Sequence, residues 1–254
     1  MKRLGEIGRW LLSISVVAFG VQQFVYSGFV EGLTLVPHWI PAHTFWADVL
    51  GVLLILCGTG IALEKFARLA CSVLGALFFA VVIVLHVPEA IMILHDIGER
   101  TRAFETLAIC GGAFVLAGLV HGTGSNSAQW DKPTKSEAEV GRYLFSISMV
   151  VFGIDHFQVA PYIATLIPAW IPAPLFFAYF TGAAFVVAGL AIATKIKARL
   201  AAALLGLMFF LWVMIVHAPR VAVRLHSGNE WNSLFVALAM AGCALVVAAS
   251  PNAE

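Results

Sequence analysis

His86 and His217 each stand two residues before a proline, in His86-Val87-Pro88 and His217-Ala218-Pro219. An imidazole donates, accepts, exchanges a proton near neutral pH or ligates a metal. Each of these two closes a long apolar run, where an ionisable side chain is costly unless it faces the protein interior, a cavity or a partner. Three residues further on come opposite charges, Glu89 and Arg220, a spacing that keeps each on its histidine's helix face. Asp155-His156 ends another apolar run and adds a carboxylate and a further imidazole. Adjacent helical residues point about 100° apart, so these two address different neighbours. Asp155 has three roles open to it: proton acceptor, orienter of His217, or satisfied helix-end carboxylate. Glu89 and Arg220 either meet between the two halves of the chain or remain solvated.

The histidines likewise have three readings. They bond a loop carbonyl or carboxylate, they touch a quinone or similar head group, or His86 and His217 together ligate a b-type haem axially. His86 and His95 are nine residues apart. On a continuous helix that is about 900°, so they share a ligand only if Pro88 breaks the helix. Glu105 and Asp48 lie near helix starts, where the helix dipole stabilises an acid. No nucleophile–base constellation, phosphate loop or His-Glu-x-x-His pattern is present. Cys57, Cys71, Cys110 and Cys243 all lie in apolar runs without a Cys-x-x-Cys. They read as small buried hydrophobes, so neither a disulfide framework nor a metal site is expected.

Helices in lipid must position these groups. The 254 residues are 61% hydrophobic and 11% charged, against about 25% charged in a soluble domain. Mean hydropathy is +0.94. The polar side chains are too few to cover a soluble surface, and the net charge of +1 gives no electrostatic case for nucleic acid. A membrane span needs about 20 apolar residues. Eight segments qualify, at 9–27, 44–63, 68–88, 103–121, 142–160, 175–194, 198–218 and 233–250. Lys2 and Arg3 ahead of an apolar run imitate a signal peptide. Glu6 and Arg9 intrude and no small-x-small site follows, so an uncleaved helix is expected.

The chain is one four-helix unit written twice. Gly8-Arg-Trp-Leu-Leu-Ser-Ile-Ser aligns with Gly141-Arg-Tyr-Leu-Phe-Ser-Ile-Ser, and Gln22-Gln23 with Asp155-His156. Pro37-His-Trp39-Ile-Pro41 aligns with Pro168-Ala-Trp170-Ile-Pro172, and His86-Val-Pro88 with His217-Ala-Pro219. The paired prolines stop one helix and shape the approach to the next. Trp39 and Trp170 suit an interfacial aromatic belt, or a lid over a cavity between helices. The expected fold is all-α, eight transmembrane helices as two parallel-repeat four-helix bundles, 1–121 and 141–254, joined by a polar linker at 122–140. Lys and Arg number eleven on one side of these spans and four on the other. The richer side should be cytoplasmic and hold both termini. Any site should then lie at the outer face, with Asn229-Glu230-Trp231 as a covering loop.

The order of motifs in the second half resembles the DoxX family of bacterial inner-membrane proteins. It runs Gly153-Ile-Asp155-His156-Phe157, Pro168-x-Trp170-Ile-Pro172, Phe176-Phe177, Gly182 and Ala188-Gly189. It continues with His217-Ala-Pro219-Arg220, Asn229-Glu230-Trp231, Phe235 and Ala237 to Gly242. The first half follows more loosely, with Gln23 in place of His156 and Glu89 in place of Arg220. The resemblance implies a four-helix membrane unit fused in tandem. It also implies a membrane subunit of a quinone-linked redox system with a possible redox partner protein. His217, His156, Asp155 and Arg220 would then line an outer-leaflet pocket, with His86 and Glu89 their first-half counterparts. The alternatives are a non-enzymatic scaffold or assembly factor, and a carrier of a small hydrophobic molecule.

Overall fold

The structure is a computed structural model that describes residues 2–29, 41–64, 66–88, 96–120 and 135–251. Pro37, Trp39, Glu89 and His95 lie outside the described residues. Every regular element among the described residues is helical. The first half contains α1 (Lys2–Val25), α2 (His43–Ala62), α3 (Ala67–Val81) and α4 (Ile97–Leu119). The second contains α5 (Lys135–Gln158), the short α6 (Ala160–Leu166), α7 (Pro174–Thr194) and α8 (Ala198–Trp212). It ends with α9 (Ala218–Val223) and α10 (Gly228–Ala249). Seven helical segments are long and apolar enough to cross a membrane. α5 with α6, bent by 93°, makes up to an eighth. The chain is therefore described as a multi-pass membrane protein.

Two details differ from expectation. The expected linker, 122–140, is already helical from Lys135, and its Glu137 accepts a 2.6 Å hydrogen bond from Ser72. Asn229-Glu230-Trp231 is not a covering loop. It forms the first turn of α10, with the Ser227 hydroxyl capping the Glu230 N–H.

The tight turns between α2 and α3 and between α7 and α8 use left-handed residues that are not glycine: Glu64 and Phe66, then Lys195 and Lys197. Such a turn exposes the last carbonyls of the preceding helix. An arginine meets them in both places. Arg9 donates to Ile61 and Ala62 carbonyls at 2.9 and 2.5 Å, and Arg142 to Ile192 and Ala193 carbonyls at 2.6 and 2.7 Å. Both guanidinium residues are buried. Both therefore cap helices.

Helix contacts close across the boundary between the halves. α1 lies between α2 and α10, and α5 between α4 and α7. α1 and α4 of the same half make no comparable contact. α4 and α10 meet at the centre, where Gly112 leaves room for Cys243. Glycines permit the closest approaches, as is usual where helices associate in lipid. A Cβ on Gly111 would lie 2.6 Å from the Gly141 carbonyl oxygen, and one on Gly8 would lie 2.7 Å from that of Gly242. The two halves are thus interlocked through α1 with α10 and α4 with α5. The core between them holds Leu12, Phe19, Leu74, Phe78, Ile109, Phe145, Met149, Phe185 and Met240.

Candidate functional site

Proline shapes the helix that carries each His-x-Pro. Pro219 has no N–H and its ring would strike the carbonyl four residues back, so an α-helix cannot run through it unchanged. The chain widens into a π turn, Val213–His217, before α9 continues. The same widening occurs at Val82–His86 ahead of Pro88. At Pro219 the helix therefore changes pitch and does not break. Such turns often sit at functional sites because they re-aim the side chains they contain.

A cavity of about 170 Å³ lies beside His217. Its walls are aromatic, from Phe152 on α5, Phe185 on α7, and Phe209 and Trp212 on α8. Its polar groups are His217, His156, Thr101, Glu105, Asn232 and Ser233. Thr101 and Glu105 stand on α4, so the first half completes a cavity that the second half otherwise builds. The His156 Nδ1–H donates to the Phe152 carbonyl at 2.8 Å. A neutral ring so bonded keeps Nε2 as an acceptor. The ring stacks on Trp212, with centroids 5.8 Å apart and 15° between planes, and meets the edge of Phe185 at 5.1 Å. It is therefore fixed in orientation. The His217 Nδ1 is buried and has no hydrogen-bond partner among the described residues. A buried polar atom left in that state is costly, and a ligand atom can relieve it.

Of the expected pocket residues that the structure describes, His217 and His156 line this cavity, and Asp155, Arg220 and His86 do not. Asp155 neither orients His217 nor stands free as a base. Arg100 donates to its Oδ1 from Nε at 2.8 Å and also from Nη2, and the Thr101 hydroxyl donates to its Oδ2 at 3.1 Å. Arg100 also bonds Gln158. Arg220 does not line the cavity. It forms a two-pronged pair with Glu230, at 2.9 and 3.1 Å, and Arg224 joins at 3.2 Å. Glu89, the other partner expected for Arg220, lies outside the described residues. His86 is fully buried at 2% exposure, with Thr106 Oγ1 3.4 Å from its Nε2.

A haem between His86 and His217 does not fit. His86 sits against α4, and the cavity at His217 is smaller than the 300–1,000 Å³ of pockets for drug-sized ligands. Among the described residues no group of three or more His, Cys, Asp or Glu is placed to hold a metal ion. A single ring does fit, since a dry cavity of about 150 Å³ accommodates benzene. Trp170 is 73% exposed, Pro168 to Pro172 form a surface turn, and none of them lines the cavity at His217.

Glu105 and Glu230 were missed as site and scaffold residues. Glu105 had an ordinary explanation as an acid near a helix start, and nothing local showed which neighbour it would face. Glu230 carried a usable sign, the Ser227-x-x-Glu230 capping pattern.

Comparison with protein-family models, with curated proteins and with solved structures finds no match for this chain.

Proposed function

We propose that this chain is a DoxX-like membrane subunit of a quinone-linked redox system, with the cavity at His217 receiving the ring of the head group. The observation that carries this reading is the convergence of two imidazoles and a carboxyl on a ring-sized aromatic slot, with one imidazole nitrogen buried and unpaired. Quinone reduction takes up two electrons and two protons. His156, His217 and Glu105 are groups that bond the two ring oxygens and exchange those protons. The electrons come from a redox partner protein. In this reading the two four-helix units are parallel repeats in a bacterial inner membrane, with both termini cytoplasmic and the cavity towards the outer leaflet.

The test is mass spectrometry of the lipid extract of protein purified in mild detergent, followed by titration with a short-tailed benzoquinone. Stoichiometric quinone in the wild type, with affinity lowered tenfold or more in His217→Ala and in Glu105→Leu, is the expected result. A quinone-free protein that does not bind the short-tailed analogue rejects the redox reading and leaves the scaffold or carrier.

A further inference from the structure

A second, larger space runs along α1. It is an open groove of about 610 Å³ between α1, α2 and the start of α10. It extends from Trp10 to Tyr26, sixteen residues or about 24 Å of helix. The hydrocarbon core of a bilayer is about 30 Å thick, so this groove has the length of a fatty chain and crosses most of the core. No charged residue lines it. Near one end it carries Gln22, which is 5% exposed and whose Oε1 and Nε2 both lack a hydrogen-bond partner among the described residues. Tyr26 and Trp231 stand at that end.

Comparison within the chain sharpens the point. In the sequence register Gln22 answers to Asp155, and Trp231 to Arg100. At Asp155 the protein supplies its own partners, Arg100 and Thr101. At Gln22 it supplies none. A primary amide presents two donors and a carbonyl acceptor, and burying them unmatched in hydrocarbon is costly.

We infer that this groove is a specific site for one zwitterionic glycerophospholipid. A fatty chain lies along α1 and the Gln22 amide donates from Nε2 to an ester carbonyl. The absence of charge in the groove favours a lipid without net charge, and the head-group ammonium is the donor available to Gln22 Oε1. This site is separate from the cavity at His217 and does not depend on the redox reading.

The test uses the whole chain, stripped of lipid in detergent and titrated with palmitoyl-oleoyl phosphatidylethanolamine under native mass spectrometry. One tightly held lipid is expected on the wild type. Gln22→Leu should weaken that first association about fivefold, the worth of a typical hydrogen bond. It should also raise the thermal midpoint of the stripped protein, because the unmatched amide is gone. Ala18→Phe, which fills the groove, should abolish the tight site. Equal lipid retention by the wild type and Gln22→Leu overturns the proposal, as does a lower midpoint with retention unchanged. Binding of a polyprenol but not of the phospholipid, with the same dependence on Gln22, shows an isoprenoid occupant and rejects the assignment.

Discussion

Asp155 shows what a buried charge does when its partner comes from the other half of the chain. It is 3% exposed and is matched by Arg100, whose side chain is 34% exposed. Removing one member of a buried pair leaves the other uncompensated, which costs about 3–5 kcal/mol, and less where a partner is partly solvated. Asp155→Ala should therefore lower stability by about 2–4 kcal/mol, read from denaturant unfolding in detergent. Arg100→Met combined with Asp155→Leu should recover part of that loss, because the double change leaves no orphan charge. Equal and additive losses would show that the two residues act separately. Glu230→Gln, in contrast, removes the anion that holds both Arg220 and Arg224. It should loosen the link between α9 and α10 and raise hydrogen exchange over residues 218–231, and unchanged exchange would reject that role.

At the level of elements, the π turn is the feature that delivers His217 to the cavity. Pro219→Ala restores the missing donor, so the helix is free to close as ordinary α. The expected outcome is a shift of His217 away from the cavity. Short-tailed benzoquinone binding should fall about tenfold with little change in thermal midpoint, while Pro88→Ala leaves that binding unchanged. Glycine contacts set the other element-scale prediction. Gly111→Leu places a side chain where the backbone of α5 already sits, with the Phe145 nitrogen only 2.7 Å from the new Cβ. It should destabilise by about 3 kcal/mol or more, beyond ordinary overpacking, because backbone must move. Calorimetry or a detergent melting series measures it. Spans were plain in the sequence because twenty apolar residues in a row leave few alternatives. The capping role of Arg9 and Arg142 was not legible for a physical reason: a charge near a span end looks the same in sequence whether it faces water or caps a neighbouring helix.

The whole molecule follows from pairings that no local pattern encodes. Hydropathy specifies that α1 and α10 are apolar helices, but not that they touch. The facing glycines, Gly8 with Gly242 and Gly111 with Gly141, become interpretable only once the helices are paired. The candidate site shows the same division. His156 and His217 stood out because imidazoles are rare in apolar runs, whereas Glu105 joins them through a contact between halves that sequence spacing does not report. Residues 1–121 and 135–254 expressed as separate chains should not fold alone, yet should co-purify when produced together. A stable, monodisperse fragment would contradict the interlocked arrangement. Two separate copies of one four-helix unit, assembled as a symmetric pair, would have to present the same residue at both equivalent positions. Joined in one chain, α4 carries Glu105 where α10 carries Val236. One chain permits this difference, and the acid stands beside His156 and His217 without a second acid having to stand at the equivalent position, beside Gln23 and His86.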